Sequence, residues 1–159
     1  MNKFRDLYKA SPPDLRKIVF DQWKAKQNPQ WHPEGNTLKH IIVVTMRAIK
    51  QFGNNKNIIL AAYFHDLGKM ATYAKHPKTN QPTAYGHEFV SAKLVDQYQA
   101  FIKQQGADVE TVKFIVANHM RAKPSTWDKM RQIKKDLIIK DPRYKDLLDF
   151  TTIDKGGLV

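Results

Sequence analysis

The residues from Ile58 to His65 read Ile-Ile-Leu-Ala-Ala-Tyr-Phe-His, and no longer apolar run occurs in the chain. The segment Asn57 to Asp66 therefore predicts a helix that is apolar almost all the way round. Such a helix has to be buried on most of its sides. It is well short of the ~20 residues that a membrane span needs, so the rest of the chain must wrap it. Yet it closes on His65 and Asp66. Ionisable groups are costly to bury unless they are paired or bound to a metal. The fold must bury this segment and at the same time give its last two side chains partners.

Helical spacing recurs on either side of the run. Ser11-Pro12-Pro13-Asp14 reads as a helix start, with Ser as the cap and Pro at the first position. The N-terminal helix is expected over 11–27, fading near Asn28-Pro29, with Trp31 to Asn36 as a loop. Thr37 to Phe52 predicts a helix stopped by Gly53-Asn54, with Leu38, Ile41, Ile42, Met46 and Ile49 inward. Gly68 is a plausible stop after Asp66, and residues 70–83 read as a loop. A long helix is expected from Tyr85 to Gln105 and another from Asp108 to Asn118. Asp141-Pro142 opens a last helix running to about Ile153. The sequence predicts an all-α fold in a single domain, residues 1–159, built as a helical bundle.

The chain has no cysteine. That excludes disulfides, thiolate metal sites and cysteine nucleophiles, and leaves nitrogen and oxygen as the available metal ligands. The first ten residues contain no apolar h-region, so no signal peptide is read and a cytoplasmic location is expected. Lys plus Arg number 27 against 15 Asp plus Glu, a formal charge of +12. This balance points to an anionic partner, a phosphoester, nucleotide or nucleic acid, or else to a solubilising surface.

The polar residues that interrupt apolar stripes are the informative ones. His40 falls on the second helix, His87 opens the long helix and His119 follows Val109, Val112 and Val116. Asp154 follows Leu147, Phe150 and Thr151 at spacings of seven, four and three, on the inward face of the last helix. Imidazole plus carboxylate suits divalent Mn, Fe, Co, Ni, Zn or Mg. His65 and Asp66 lie about 100° apart on an ideal helix, so they can meet at one ion only where the backbone ends or bends.

His40, His65-Asp66 within Tyr63-Phe64-His65-Asp66-Leu67-Gly68-Lys69, and Asp154 together resemble the HD-domain superfamily of metal-dependent phosphohydrolases. His32-Pro33-Glu34-Gly35, Gly86-His87-Glu88 and Thr152-Ile153-Asp154-Lys155-Gly156-Gly157 bring the likeness closer to the HD domain attached to bacterial tRNA nucleotidyltransferases. The likeness covers the core motif region 31–157. The nucleotidyltransferase head, with its paired carboxylates, has no counterpart in the sequence, so a free-standing HD domain is expected. The resemblance implies a first divalent metal held by His40, His65, Asp66 and Asp154. It implies that His87 and His119 either hold a second metal or contact the substrate phosphate. It also implies hydrolysis of phosphomonoesters and 2′,3′-cyclic phosphates of nucleotides or RNA ends.

Chemistry consistent with those residues is attack by a metal-bound hydroxide, because a divalent ion lowers the pKa of water and polarises a phosphoryl oxygen. Asp66 is then the central catalytic ligand. Lys69 is the first candidate for substrate phosphate contact, followed by Arg121 and Lys123. The plain alternative for Lys69 is a helix-end lysine satisfying carbonyls. His32 and Glu34 either fix the loop over the site or cap the second helix. The basic stretch Arg121 to Lys140, with Trp127 inside it, suits single-stranded nucleic acid or a nucleobase. It equally suits an amphipathic surface helix. Other readings of the chain are a dNTP or alarmone hydrolase, and a nucleic-acid-binding module with a non-catalytic metal site.

Overall fold

A computed structural model describes residues 3–157. The apolar run forms helix α4 (Lys56–Phe64), and every residue from Ile58 to Phe64 is buried. Asn55 caps it by accepting from the amides of Asn57 and Ile58. Around α4 pack α3 (Thr37–Phe52), α6 (His87–Gln97), α8 (Val109–Asn118) and α11 (Tyr144–Ile153). Ala61 and Ala62 lie in this buried segment, where small side chains leave room for neighbours to approach closely. The architecture is all-α, as the spacing predicts.

The buried face of α3 differs from the expected stripe. It carries Thr37, His40, Ile41, Val44, Thr45, Arg47 and Ala48, while Leu38 and Ile49 are partly buried. The face is rotated because two polar residues, His40 and Arg47, have work to do inside.

Several boundaries are corrected by the structure. A first helix, α1 (Phe4–Ala10), precedes α2 (Pro13–Asp21). Ser11 is not the cap of α2; its hydroxyl donates to the Leu7 carbonyl and pairs with the Tyr63 hydroxyl at 2.8 Å. α2 passes into a single 3₁₀ turn, Gln22–Lys24, so helix ends before residue 27. α4 stops at Phe64 rather than at Asp66, and tight turns follow (Leu67 N–H to Phe64 O, Lys69 N–H to Asp66 O). The helix expected over 85–105 is broken at Tyr98 into α6 and α7 (Gln99–Gln104). Neither Gly nor Pro marks that break; Tyr98 leaves helical geometry and donates its hydroxyl to Asp14 at 2.8 Å.

The segment 70–83 is more than loop. α5 (Lys69–Thr72) leads to a two-stranded ribbon, β1 (Ala74–Lys75) with β2 (Pro82–Thr83), antiparallel with Ala74 opposite Thr83. The basic stretch folds as α9 (Pro124–Trp127) and α10 (Gln132–Lys140). α10 lies on the surface with Ile138 buried and Ile133 and Leu137 exposed. Trp127 stacks on Tyr144 with ring centroids 6.3 Å apart, and Lys135 lies over its face. No described helix is long and apolar enough to cross a membrane.

Candidate metal centre

The site begins with four imidazoles, three of them oriented by a nearby backbone carbonyl and the fourth by a carboxylate. His65 and His119 each follow the last residue of a helix, α4 and α8. There the last-turn carbonyls have no helical partner. Each ring folds back so that Nδ1–H donates to the carbonyl three residues earlier: His65 to Ala62 at 2.7 Å and His119 to Val116 at 2.6 Å. His87, at the start of α6, does the same to Ala84 at 2.8 Å. His40 donates instead to Glu34 Oε1 at 2.8 Å. With Nδ1 holding the proton of the neutral ring, every Nε2 is turned inward and offers its lone pair once an ion displaces any proton there. This tautomer is the one a metal-ligating histidine holds when its other nitrogen bonds a carboxylate or carbonyl.

The Nε2 atoms converge on two carboxylates. His40 and His65 Nε2 lie 3.1 and 3.4 Å from Asp154 Oδ1, and 3.5 and 3.3 Å from Asp66 Oδ2. On the other oxygen of Asp66, His87 and His119 Nε2 lie 3.0 and 3.4 Å from Oδ1 and 3.2 Å from each other. Asp66 thus faces one group with each oxygen. The donor atoms of His40, His65 and Asp154 lie within 4.8 Å of one another, and so do those of Asp66, His87 and His119.

These separations suit a shared ion. Ligands ~2.1 Å from a metal stand about 3.0 Å apart along an octahedral edge and about 3.4 Å along a tetrahedral one. Buried His65 Nε2 has no hydrogen-bond partner. Such orphaned buried groups are rare without an ion or water to meet them. Position and chemistry of the donor set both fit a divalent cation.

Electrostatics point the same way. Burial alone would push Asp66 upward, but His65 and Lys69 hold it well below the usual carboxylate range. Asp154 is likewise held low against its burial, by Lys123 and His65. Burial would depress His65, but the carboxylates of Asp66 and Asp154 raise it to about 10. The two carboxylates thus stay ionised in the buried centre and favour positive charge beside them.

The HD turn itself is held from two sides. Buried Gln22 donates to the Leu67 carbonyl at 2.9 Å and accepts from the Met70 amide. On the other side, Gly68 N–H donates to Ser91 Oγ at 2.8 Å. A Cβ on Gly68 would overlap the His87 carbonyl and come within 2.9 Å of the Ser91 amide. Glycine is therefore needed here for close packing on α6 and not as a helix stop; its φ of −76° is ordinary.

The remaining candidates divide. Lys69 Nζ reaches Asp66 Oδ2 at 3.1 Å and donates to Gln27 Oε1 at 2.6 Å, so it borders the cluster. Lys123 Nζ stands 3.7 Å from Asp154 Oδ2. Arg121 is engaged elsewhere: it donates to Asn118 Oδ1 and lies over the Phe89 ring. Glu34 accepts from His40, from the Gly157 amide at 2.7 Å, and faces His32 Nδ1 at 3.0 Å; the cap of α3 is Asn36. Of the two readings for His32 and Glu34, the loop role is the one these contacts describe.

Two residues escaped the sequence reading. Arg47 is buried and donates to the carbonyls of Ile153, Lys155 and Gly157, at 3.1, 2.6 and 3.2 Å, on both sides of Asp154. Its signal was present: it lies seven residues after His40, on the same face of α3. Gln27 had no such signal, because it comes from an irregular loop.

The sequence model of the HD domain family matches residues 37–142, more than half of the chain. The chain belongs to the HD domain family. The match ends before Asp154, whose place beside His40 and His65 comes from the structure. Among curated relatives, a multifunctional CCA protein of Mannheimia succiniciproducens is 30% identical over 155 residues, 89% of this chain and 36% of that protein. A multifunctional CCA protein of Herminiimonas arsenicoxydans is 40% identical over 46% of this chain and 17% of its own length. An A-adding tRNA nucleotidyltransferase of Deinococcus radiodurans is 37% identical over 41% of this chain and 15% of its own length. The chain thus spans little more than a third of these relatives at most.

Proposed function

We propose that this HD domain is a metal-dependent phosphohydrolase acting on nucleotide or RNA-end phosphoesters, with 2′-nucleotides and 2′,3′-cyclic phosphates as its favoured substrates. The observation that carries the reading is the convergence of Nδ1-protonated imidazoles on two buried carboxylates, with His65 Nε2 left unpaired. His40, His65, Asp66 and Asp154 would hold one divalent ion, and Asp66 with His87 and His119 would hold a second or meet the substrate phosphate. Bound there, a divalent metal supplies an activated water and a Lewis acid for the phosphoryl oxygen.

The chain's own groups do the rest. Glu34 and the carbonyls of Ala62, Ala84 and Val116 keep each imidazole in the tautomer that presents Nε2. Asp66, shared between the two groups, fixes their spacing. Lys69, at the edge of the cluster, holds its ammonium where the phosphate's negative charge accumulates. In the reaction, water adds to phosphorus, the P–O bond to the nucleoside oxygen breaks, and that oxygen leaves with a proton. The sequence has no cysteine, and among the described residues no serine is poised by a base, which favours direct water attack.

The test is hydrolysis of 2′-AMP, 3′-AMP, 5′-AMP, 2′,3′-cyclic AMP, a dNTP and a short RNA with a cyclic end. Metal-stripped protein is assayed with Mn, Co, Ni, Mg or Zn restored, beside Asp66→Asn. Turnover that requires metal and falls on the order of 10³-fold in the variant, the scale of losing several kcal/mol of charge stabilisation, supports the reading. Absence of turnover with every metal sinks it. Preference for the dNTP instead assigns the chain to the triphosphate-hydrolysing alternative.

A further inference from the structure

Beside the metal centre lies a cavity of about 750 Å³, within the range of ordinary small-molecule sites. His32, Lys69 and His87 line its inner end. Its lining also includes Trp31 and, from the open end of the β1–β2 ribbon, Tyr73 and Tyr85. We propose that this cavity is a nucleoside subsite, in which the base stacks on Trp31 and Gln27 donates a hydrogen bond to the sugar-phosphate. This rests on the phosphohydrolase reading above and adds the part of the substrate that the metal centre does not choose.

Independent observations carry it. Trp31 is 65% exposed and Tyr85 78% exposed, though both are large aromatic groups whose burial would be favourable. Trp31 does not sit on a loose loop. Its amide donates to the Asn28 carbonyl at 3.1 Å, as does that of His32 at 2.9 Å, and a Cβ on Gly156 would overlap the Trp31 carbonyl. An aromatic side chain on a fixed backbone at a cavity mouth is suited to serve as a stacking platform. Gln27 also lines the cavity and is only 7% exposed. Its Oε1 is committed to Lys69 Nζ at 2.6 Å, which fixes the amide's orientation, and its Nε2 has no partner. A buried amide donor costs stability unless something accepts from it. A phosphate or ribose oxygen reaching toward Lys69 would be that acceptor.

Stacking on aromatic side chains tolerates any base. The subsite therefore selects nucleosides over base-free esters without strong choice among A, G, C and U. The test compares kcat/KM for 2′-AMP and glycerol 2-phosphate, both secondary phosphomonoesters, in the wild type, Trp31→Ala and Trp31→Phe. Alongside it, binding of adenosine, which has no phosphate, is followed by saturation-transfer NMR with the same proteins. The expected result is a preference for 2′-AMP that shrinks roughly 5- to 140-fold in Trp31→Ala, the range of a stacked base, and returns largely in Trp31→Phe. Adenosine binding should be lost and regained in parallel. Hydrolysis of both esters with equal efficiency, or a preference that survives Trp31→Ala, overturns the subsite and leaves the phosphohydrolase reading intact. If neither ester is hydrolysed but adenosine binds through Trp31, the subsite stands and the hydrolytic reading fails. If neither ester is hydrolysed and adenosine does not bind, both fall.

Discussion

The two groups that share Asp66 are built in different ways. His87 and His119 are fixed by carbonyls three residues away in the chain, Ala84 and Val116. In the other group His65 is fixed in the same way by Ala62, but His40 and Asp154 lean on distant segments. Glu34 orients His40, the Gly157 amide holds Glu34, and Arg47 grips the backbone on both sides of Asp154. The contrast teaches that one ligand group is a property of helix ends, while two of the three members of the other depend on the tertiary closure of the chain. Local geometry survives small perturbations elsewhere; long-range closure does not.

The strongest way to break this comparison is to remove one imidazole from each group. His65→Ala is expected to lose bound metal altogether. His119→Ala should lower metal content while leaving the ion of the first group, as read by elemental analysis after dialysis. Loss of all metal from both variants would show that the halves are one unit. The next effect concerns Glu34. Glu34→Gln keeps the shape but weakens the acceptor for His40, and metal affinity measured by competition with a chelator should fall about 10–100-fold. The corresponding change for the other group cannot be made with side chains, since its acceptors are backbone.

Arg47→Met sharpens the contrast on the stability side. It leaves the carbonyls flanking Asp154 without their buried donor, which costs about 1–3 kcal/mol. In a chain of this size that is a fall in Tm of roughly 2–12 °C, measurable by differential scanning fluorimetry. An unchanged Tm would mean that α11 is held by packing alone. The smallest effect is on acid stability. Burial, with Lys69 and His40 adding to it, lowers His32 to about 4, and Glu34 is held at about 2 by His40 and the Gly157 amide against its own burial. Both groups bind protons more readily when unfolded. Stability from His32 is thus full above about 6.5 and lost as pH falls toward 4. That from Glu34 is full above about 4.5 and lost toward 2. Glu34→Gln should flatten the lower part of the acid limb in a pH-dependent thermal scan; an unaltered limb would assign it to other carboxylates.

Much of this fold could be read from the chain because its polar residues interrupt strong apolar periodicity. Thr37–Phe52 was legible to the residue, and His40, His119 and Asp154 stood out against apolar neighbours. What escaped reading follows from contacts between segments. The break at Tyr98 carries no Gly or Pro, and its hydroxyl finds Asp14 only in the folded chain. The end of α4 at Phe64 comes from turns that Gln22 and Ser91 support from α2's exit and α6. Arg47 and Gln27 act through partners over a hundred and about forty residues away, respectively. The spacing from His40 marks Arg47 as inward, but no local pattern encodes the partners of either residue.

Gly156 and Gly157 carry a last consequence. One presses on the backbone of Trp31 and the other holds Glu34, while Asp154 stands only a few residues earlier. The wall of the cavity and a carboxylate of the centre are therefore parts of one mechanical linkage. The Trp31 loop packs directly on the backbone that follows Asp154. The mouth of the cavity and the centre are in this way joined through a short stretch of chain that ends in two glycines.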